Sequence, residues 1–362
     1  MTAMSSLLQI TNRRRAIPLL ALALLGLATM SIMLSARHQS QHPVLGVASQ
    51  AFVISLPSRN IRRRDMYRLA KMMNARWDIV DATNTVDPAV ARILSHVRRT
   101  REHALIDTRH SSYDKLSDEI DMPFQWPERI EDLAISDASI PAHGSDNWHS
   151  SPVEAPEDEH QMTCATKDFT LFPYSPDMPD WLILSAPRVA CWQSHVSVIR
   201  RIVDEKAAGP FIILEDDVDM EKDTARRLRA LWPLLPQDWD IVFLGHCWSN
   251  EAHHPPLHPE LTPLFPLRQT HIHPSNGPKC THAYAISRAG ARRLLLHLRH
   301  IPFAYSRAID QALSWLVASG RLNSFSVVPS VVVQRKTDGS DINKNTSKAW
   351  RDDLVDGCFA RT

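Results

Sequence analysis

Apolar positions along the chain fall into two periods. Ala51–Leu56 (AFVISL), Phe211–Leu214 running into Glu215, Trp239–Leu244 (WDIVFL), Ala283–Ser287 (AYAIS) and Phe325–Val333 are short apolar runs bounded by glycine, proline or charge, the pattern of buried strands. Trp77–Val80 reads as one more short strand. Between them lies helical spacing. Arg188–Lys206 places Val196, Ile199, Ile202 and Val203 on one face, and helices are also expected from Arg59 to about Met73, over Thr224–Leu231, Gly290–Leu298 and Ile309–Val317. Alternating strands and helices predict an α/β fold, a sheet flanked by helices. From Thr108 to about Thr170 the pattern dissolves into Ser, Asp, Glu, Pro and His with isolated aromatics, so residues 108–170 are expected to be an irregular insertion, partly disordered and longer than compact loops usually are.

One apolar run belongs to neither period. Ala16–Ser35 holds twenty uncharged residues directly after Arg13, Arg14 and Arg15, enough to cross the hydrocarbon core of a bilayer. The arginines should stay cytoplasmic. A cleaved signal peptide also begins basic and turns apolar. This run is longer than the usual signal core, and Met33 and Leu34 spoil a small-x-small cleavage site. The reading is therefore a single-pass anchor: 1–15 a cytoplasmic tail, 16–35 the span, 36–49 a polar stem, and 50–362 a luminal domain.

Composition narrows this picture. In 362 residues, 41 Lys and Arg stand against 40 Asp and Glu for a net charge of +1, so no global basic field would draw nucleic acid. Five cysteines without CxxC spacing permit one or two disulfides in a lumen and leave at least one thiol. Asn345-Thr346-Ser347 is the only glycosylation sequon. Gly245–His282 carries seven histidines. His271-x-His273 and Cys280-x-His282 suggest zinc, but structural zinc sites show tighter paired spacings, and a proline-rich surface loop is the expectation.

Candidate chemistry concentrates in Phe211–Asp219, FIILEDDVD. If the extended backbone persists through the acids, Glu215, Asp217 and Asp219 share one side and Asp216 takes the other. Crowded carboxylates raise one another's pKa unless a cation or hydrogen-bond donors offset them, and hard oxygen ligands suit magnesium or manganese bridging to phosphate. The alternative is a solvated acidic turn. A second cluster, Arg59, Arg62, Arg63 and Arg64, follows the first strand at the start of a helix, where α/β proteins hold phosphate. A solvated basic helix face is the alternative there.

Six stretches, in order, resemble glycosyltransferase family 25, which includes bacterial lipooligosaccharide and animal procollagen galactosyltransferases. They are Phe52–Arg63, Ala190–His195, Ile213–Val218, Trp239–Gly245, Thr281–Leu295 and Ile309–Leu313. A weaker seventh comprises Pro329, Gln334 and Ser340–Ile342. The resemblance implies a GT-A-like mixed sheet, a UDP-sugar donor with galactose the first choice of hexose, an inverting transfer to a glycan or glycoprotein acceptor, and Mn2+ (or Mg2+) at the acidic motif. It further implies a Golgi or ER membrane protein with its catalytic domain in the lumen.

Carried onto this sequence, the resemblance makes Asp217 the leading metal ligand, with Glu215 on its flank and Asp219, just past the motif, a further ligand. Asp216 would meet ribose or sugar, Arg59 and Arg63 the nucleotide, and Ser194 and His195 the donor, although His195 could instead pack behind the sheet. His282 would reach phosphate or metal, and Asp341 would close over the donor. Asp310 is the expected general base, its bland role being an acid at a helix N-terminus. Arg188-Val189-Ala190 departs from the glycine-containing run usual before the cysteine. Two alternatives stand beside this reading: a phosphohydrolase using Asp217-x-Asp219, and a luminal binding protein that has lost catalysis. A serine-hydrolase reading finds no G-x-S-x-G, and a P-loop reading finds no G-x-x-x-x-G-K.

Overall fold

The computed structural model describes residues 43–109, 119–152, 160–205, 209–260, 270–335 and 354–359. The expected span over 16–35, the sequon at Asn345 and Asp341 lie outside the described residues. Among the described residues no helix is long and apolar enough to cross a membrane.

In chain order, β1 (Gln50–Ser55) leads to α1 (Asn60–Met72), β2 (Asp78–Asp81) and α2 (Pro88–Arg109). Short pieces follow: β3 (Ile120–Asp121), α3 (Ile130–Ile135), β4 (Met162–Thr163), β5 (Thr170–Leu171) and β6 (Ile183–Leu184). Then come α4 (Ala186–Asp204), β7 (Phe211–Glu215), β8 (Val218–Met220), α5 (Thr224–Leu231), β9 (Ile241–Cys247) and β10 (His271–Pro274). The last are β11 (Lys279–Ile286), α6 (Arg288–Leu298), α7 (Ile309–Ala318), β12 (Ser324–Val328) and β13 (Val332–Gln334).

Seven strands form one mixed sheet in the order β10-β12-β9-β11-β7-β1-β2. β1 runs parallel to β2 and β7, while β11 is antiparallel to both neighbours, β7 and β9. Side-chain alternation divides the sheet between two cores. Phe52, Ile54, Phe211, Ile213, Phe243 and Tyr284 face one side, against Val189, Trp192, Ile199 and Ile202 of α4 and residues of α6 and α7. Val53, Ile212, Leu214, Leu244 and Ala285 face the other, against Met66 and Leu69 of α1 and Leu228 and Leu231 of α5. The mixed α/β sheet flanked by helices is thus as expected.

Three sequence expectations change. The stem read over 36–49 ends earlier, because Leu45 and Ala48 are buried and Val44 and Ala48 exchange backbone hydrogen bonds. The last strand is two, β12 and β13, divided after Val328 at Pro329, which cannot donate to a ladder. The third concerns 108–170. Its described parts are irregular yet packed, with Ile130, Ile140, Trp148 and Cys164 in the first core.

Irregular backbone still needs partners for its carbonyls, and here buried arginines supply them. Arg101 donates to Thr163 O, Arg292 to Leu133 O and Ala138 O, Arg299 to Pro141 O, and Arg307 to Lys167 O and Asp168 O. A disulfide, Cys247–Cys280, joins the end of β9 to the start of β11. A ligand nitrogen of His282 lies within 4.8 Å of both sulfurs, so the Cys280-x-His282 spacing does bring its two residues together beside Cys247. His271 and His273 sit in β10, paired with β12.

Candidate active site

The parallel strands β1 and β7 end at the same level, with Ile54 beside Glu215. A cleft of about 550 Å³ opens beyond their carboxyl ends, bounded by the start of α1, the 82–85 loop after β2, one face of α4 and Gln334. Open α/β sheets bind ligands at such a position. Lining side chains include Arg59, Arg62, Ser194, His195, Glu215, Asp216 and Asp217.

Alternation through the acids does not persist. β7 stops at Glu215, and Asp216 and Asp217 occupy a turn before β8. The turn brings Glu215, Asp216 and Asp217 to one cleft, while Asp219 takes another direction.

Asp216 accepts from Ser55 Oγ at 2.6 Å and from Arg62 Nη1 at 3.2 Å. The same Arg62 nitrogen lies 3.3 Å from Asp217 Oδ2, which also accepts from Gln334 Nε2 at 3.1 Å. Asp217 Oδ1 is buried and has no hydrogen-bond partner. Burial, then the charge of Glu215, push the Asp217 carboxyl up to about 7, with Arg62 and Gln334 opposing and Asp216 adding to the rise.

Glu215 goes the other way. Burial pushes it up, but His195, Thr281 and His282 outweigh burial and hold it below its ordinary value. Thr281 Oγ1 donates to Glu215 Oε1 at 2.7 Å, and His195 Nε2 lies 3.5 Å from that oxygen. His195 Nδ1 meets the Tyr284 hydroxyl at 3.0 Å. In this coupled group Glu215 keeps its charge and Asp217 bears the cost of crowding.

Asp310 sits at the start of α7, half-buried, accepting from the backbone N–H of Gln311 at 2.8 Å and from that of Cys280. Burial raises its pKa, those hydrogen bonds and Lys279 oppose, and the charge of Glu215 adds to the rise. Asp310 is therefore electrostatically linked to the acidic cleft without lining it.

Other expected residues have structural duties. Arg63 donates to Ser55 O, Leu56 O and Asp81 Oδ1, tying β1 to β2. Its guanidinium is committed away from a nucleotide. Ser194 Oγ donates to Ala190 O and accepts from the backbone N–H of Thr83, fixing the 82–85 loop at the cleft wall. His282 is buried against Gly245, where an added Cβ would come within 2.2 Å of its Nε2.

Asp219 is not in the cleft. It accepts from the backbone N–H groups of Met220, Cys358 and Phe359, holding the C-terminal segment. Glu221 repeats this device with Val355 and Asp356. The third-ligand role expected of Asp219 fails for that reason, and so does the Asp217-x-Asp219 pairing of the phosphohydrolase alternative, whose two acids would have to face one substrate.

Sequence reasoning overlooked Arg62 as an individual, along with Thr281, Tyr284, Glu221 and the 82–85 loop. Spacing could have flagged Arg62, since it falls in the first helical turn after the strand. The others have no local signal, because their partners are more than sixty residues away.

Residues 180–311 match the family model Glycosyltransferase family 25 (LPS biosynthesis protein), a stretch running from the approach to α4 through Gln311. It contains His195, Glu215 to Asp217, Thr281 and Asp310, and supports glycosyltransferase activity in general. No curated protein matches the chain.

Proposed function

We propose that the protein is a metal-dependent, inverting glycosyltransferase that moves a hexose, galactose first, from a UDP-sugar to a hydroxyl of a glycan or glycoprotein. The observation that carries this reading is the Asp217 carboxylate: buried, crowded by Glu215 and Asp216, and with one oxygen lacking any partner. A hard divalent cation such as Mn2+ or Mg2+ suits that donor set. Asp217 and Glu215 would hold the metal, and when bound it would supply neutralisation of the charge that develops on the departing diphosphate. The antiparallel β11 within an otherwise largely parallel centre supports a GT-A-like reading of the sheet.

The chain's own residues account for the rest. Asp216, oriented by Ser55 and Arg62, faces the ribose or sugar, and Arg59 stands at the cleft for the phosphates. Asp310, just outside the cleft lining, would take the proton of an acceptor hydroxyl bound on its side of Glu215, the hydroxyl oxygen then bonding to the anomeric carbon as the bond from that carbon to the phosphate oxygen breaks. Its raised pKa suits a base. Asp341 remains a candidate for closing over the donor. The basic-then-apolar N-terminus and the Cys247–Cys280 bridge support a type II protein of the Golgi or ER with a luminal domain.

The test is to express residues 44–362 and screen UDP-sugars for Mn2+-dependent release of UDP, with Asp217→Ala beside the wild type. One donor should turn over in a chelator-sensitive manner, and Asp217→Ala should lower kcat/KM by about a hundredfold or more. Inertness with every donor and plausible acceptor, or an Asp217→Ala variant as active as wild type, rejects the proposal.

A further inference from the structure

We propose that the Cys247–Cys280 disulfide is a positioning device for the reaction: it closes a bulge at the start of β11 whose residues hold Asp310 and Glu215 in place, so that breaking it slows turnover while the fold stays intact. The inference rests on the transferase reading above, in which Asp310 is the base and Glu215 helps to hold the metal.

The bulge is visible in the register. Lys279 pairs with Cys247 and Ala283 with Gly245, so β11 advances four positions, from 279 to 283, while β9 moves two, from 247 to 245. Extra residues bend a strand and re-aim its side chains, and such bulges collect beside active sites. Cys280 takes φ +66°, a left-handed backbone that is costly for a residue with a side chain and that its surroundings must hold. The bond from its sulfur to Cys247 of β9 supplies that hold.

Each residue of the bulge meets an acid. The Cys280 N–H donates to Asp310, the Thr281 hydroxyl donates to Glu215 Oε1 at 2.7 Å, and His282 acts electrostatically on Glu215. Asp310 begins α7 and Glu215 ends β7, so one short piece of chain touches both sides of the reaction. Freed of the bridge, Cys280 can relax to an ordinary backbone, turning its N–H from Asp310 and carrying Thr281 away from Glu215. The change stays local, because β11 remains paired with both β7 and β9 from Ala283 to Ile286. Arg59, Asp216 and Asp217 stand before α1 and in the turn after β7, on chain that the bridge does not join, so the donor side of the cleft is left in place.

Reduction of the full chain with dithiothreitol tests this. One thiolate attacks the bridge to give a mixed disulfide, the second closes the reductant into a ring, and two electrons and two protons end on Cys247 and Cys280 as thiols. Hydrogen exchange read by mass spectrometry should rise about tenfold over residues 279–283 and at the start of α7, and should not change over α4 and β7. At saturating Mn2+, kcat should fall about tenfold or more with KM for the donor within about twofold, and reoxidation should restore it. Cys247→Ser should behave as the reduced protein does and ignore the reductant. With the bridge intact, Thr281→Val should lose part of kcat, and Thr281→Ser, which keeps the hydroxyl, should recover it. Exchange or kcat that ignores reduction rejects the inference and leaves the transferase reading standing. Exchange that rises throughout the chain also rejects it, since the bridge would then be a brace for the whole fold. Oxidised wild type that is inert with every donor overturns both.

Discussion

Asp217 combines burial with three neighbouring charges, and the balance has a measurable sign. Its folded pKa of about 7 lies above the ordinary 3.8, raised first by burial and then by Glu215. Between those values the folded protein keeps a proton that the unfolded chain releases, so this group's contribution to stability falls as pH rises through that window. Asp217→Asn preserves the shape and removes the charge. In chelator it should be more stable than wild type by a few kcal/mol at about pH 8, with most of the gap gone by about pH 5, as read from urea midpoints. Equal midpoints at both pH values would show that Arg62 and Gln334 already compensate the charge. The acids were legible in the sequence as a group, but their directions were not. Alternation assumes a strand, and the turn at Asp216–Asp217 that gathers three acids and diverts Asp219 depends on β8 pairing with the distant β13.

At the scale of elements, the C-terminal segment is fastened by carboxylates to the strand beyond that turn. Asp219 and Glu221 together receive backbone N–H groups from Val355, Asp356, Cys358 and Phe359. Asp219→Ala leaves buried donors unpaired and should cost about 2–4 kcal/mol of stability, while Mn2+ affinity stays at the wild-type value. A variant that melts normally yet loses Mn2+ would return Asp219 to the ligand set. The disulfide makes a second such contribution. With a sequence separation of 33 between Cys247 and Cys280, loop closure predicts that Cys247→Ser with Cys280→Ser loses about 3–4 kcal/mol, measured by thermal melting. A melt unmoved by the double substitution would mean the strand pairing of β9 with β11 suffices.

Helices α4, α6 and α7 were legible because their apolar faces are local. The spacing of Val90, Ile93, Leu94 and Val97 in α2 carries the same local signal, although no helix was expected there. Nothing local marks Arg101, Arg292, Arg299 and Arg307 as fasteners of irregular chain, because an arginine's partner is chosen by the fold. The Cys247–Cys280 pairing was unreadable for the same reason.

For the whole molecule, the boundary between any anchor and the folded body is a physical question. The 44–48 turn belongs to the body. Leu45 is 3% exposed and Ala48 is fully buried, both in the core shared with α5, and Gly46, at φ +81°, lies where a Cβ would come within 2.7 Å of the Ala225 carbonyl. Ser49 then donates to Pro210 O and delivers the chain into β1 beside β7. Both cores, the sheet and the cleft draw their described residues from Val44 onward. Residues 44–362 should therefore fold cooperatively on their own, with a single denaturation transition. Residues 50–362 should be less stable by about 3 kcal/mol, the burial of one leucine and its surroundings, although they begin at the first strand. Equal denaturation midpoints for the two would make the 44–48 turn an ornament of the fold. A lower midpoint with unchanged KM for the donor would place that turn in stability alone, because it contacts α5 and Pro210 and none of the acids at the far end of β7.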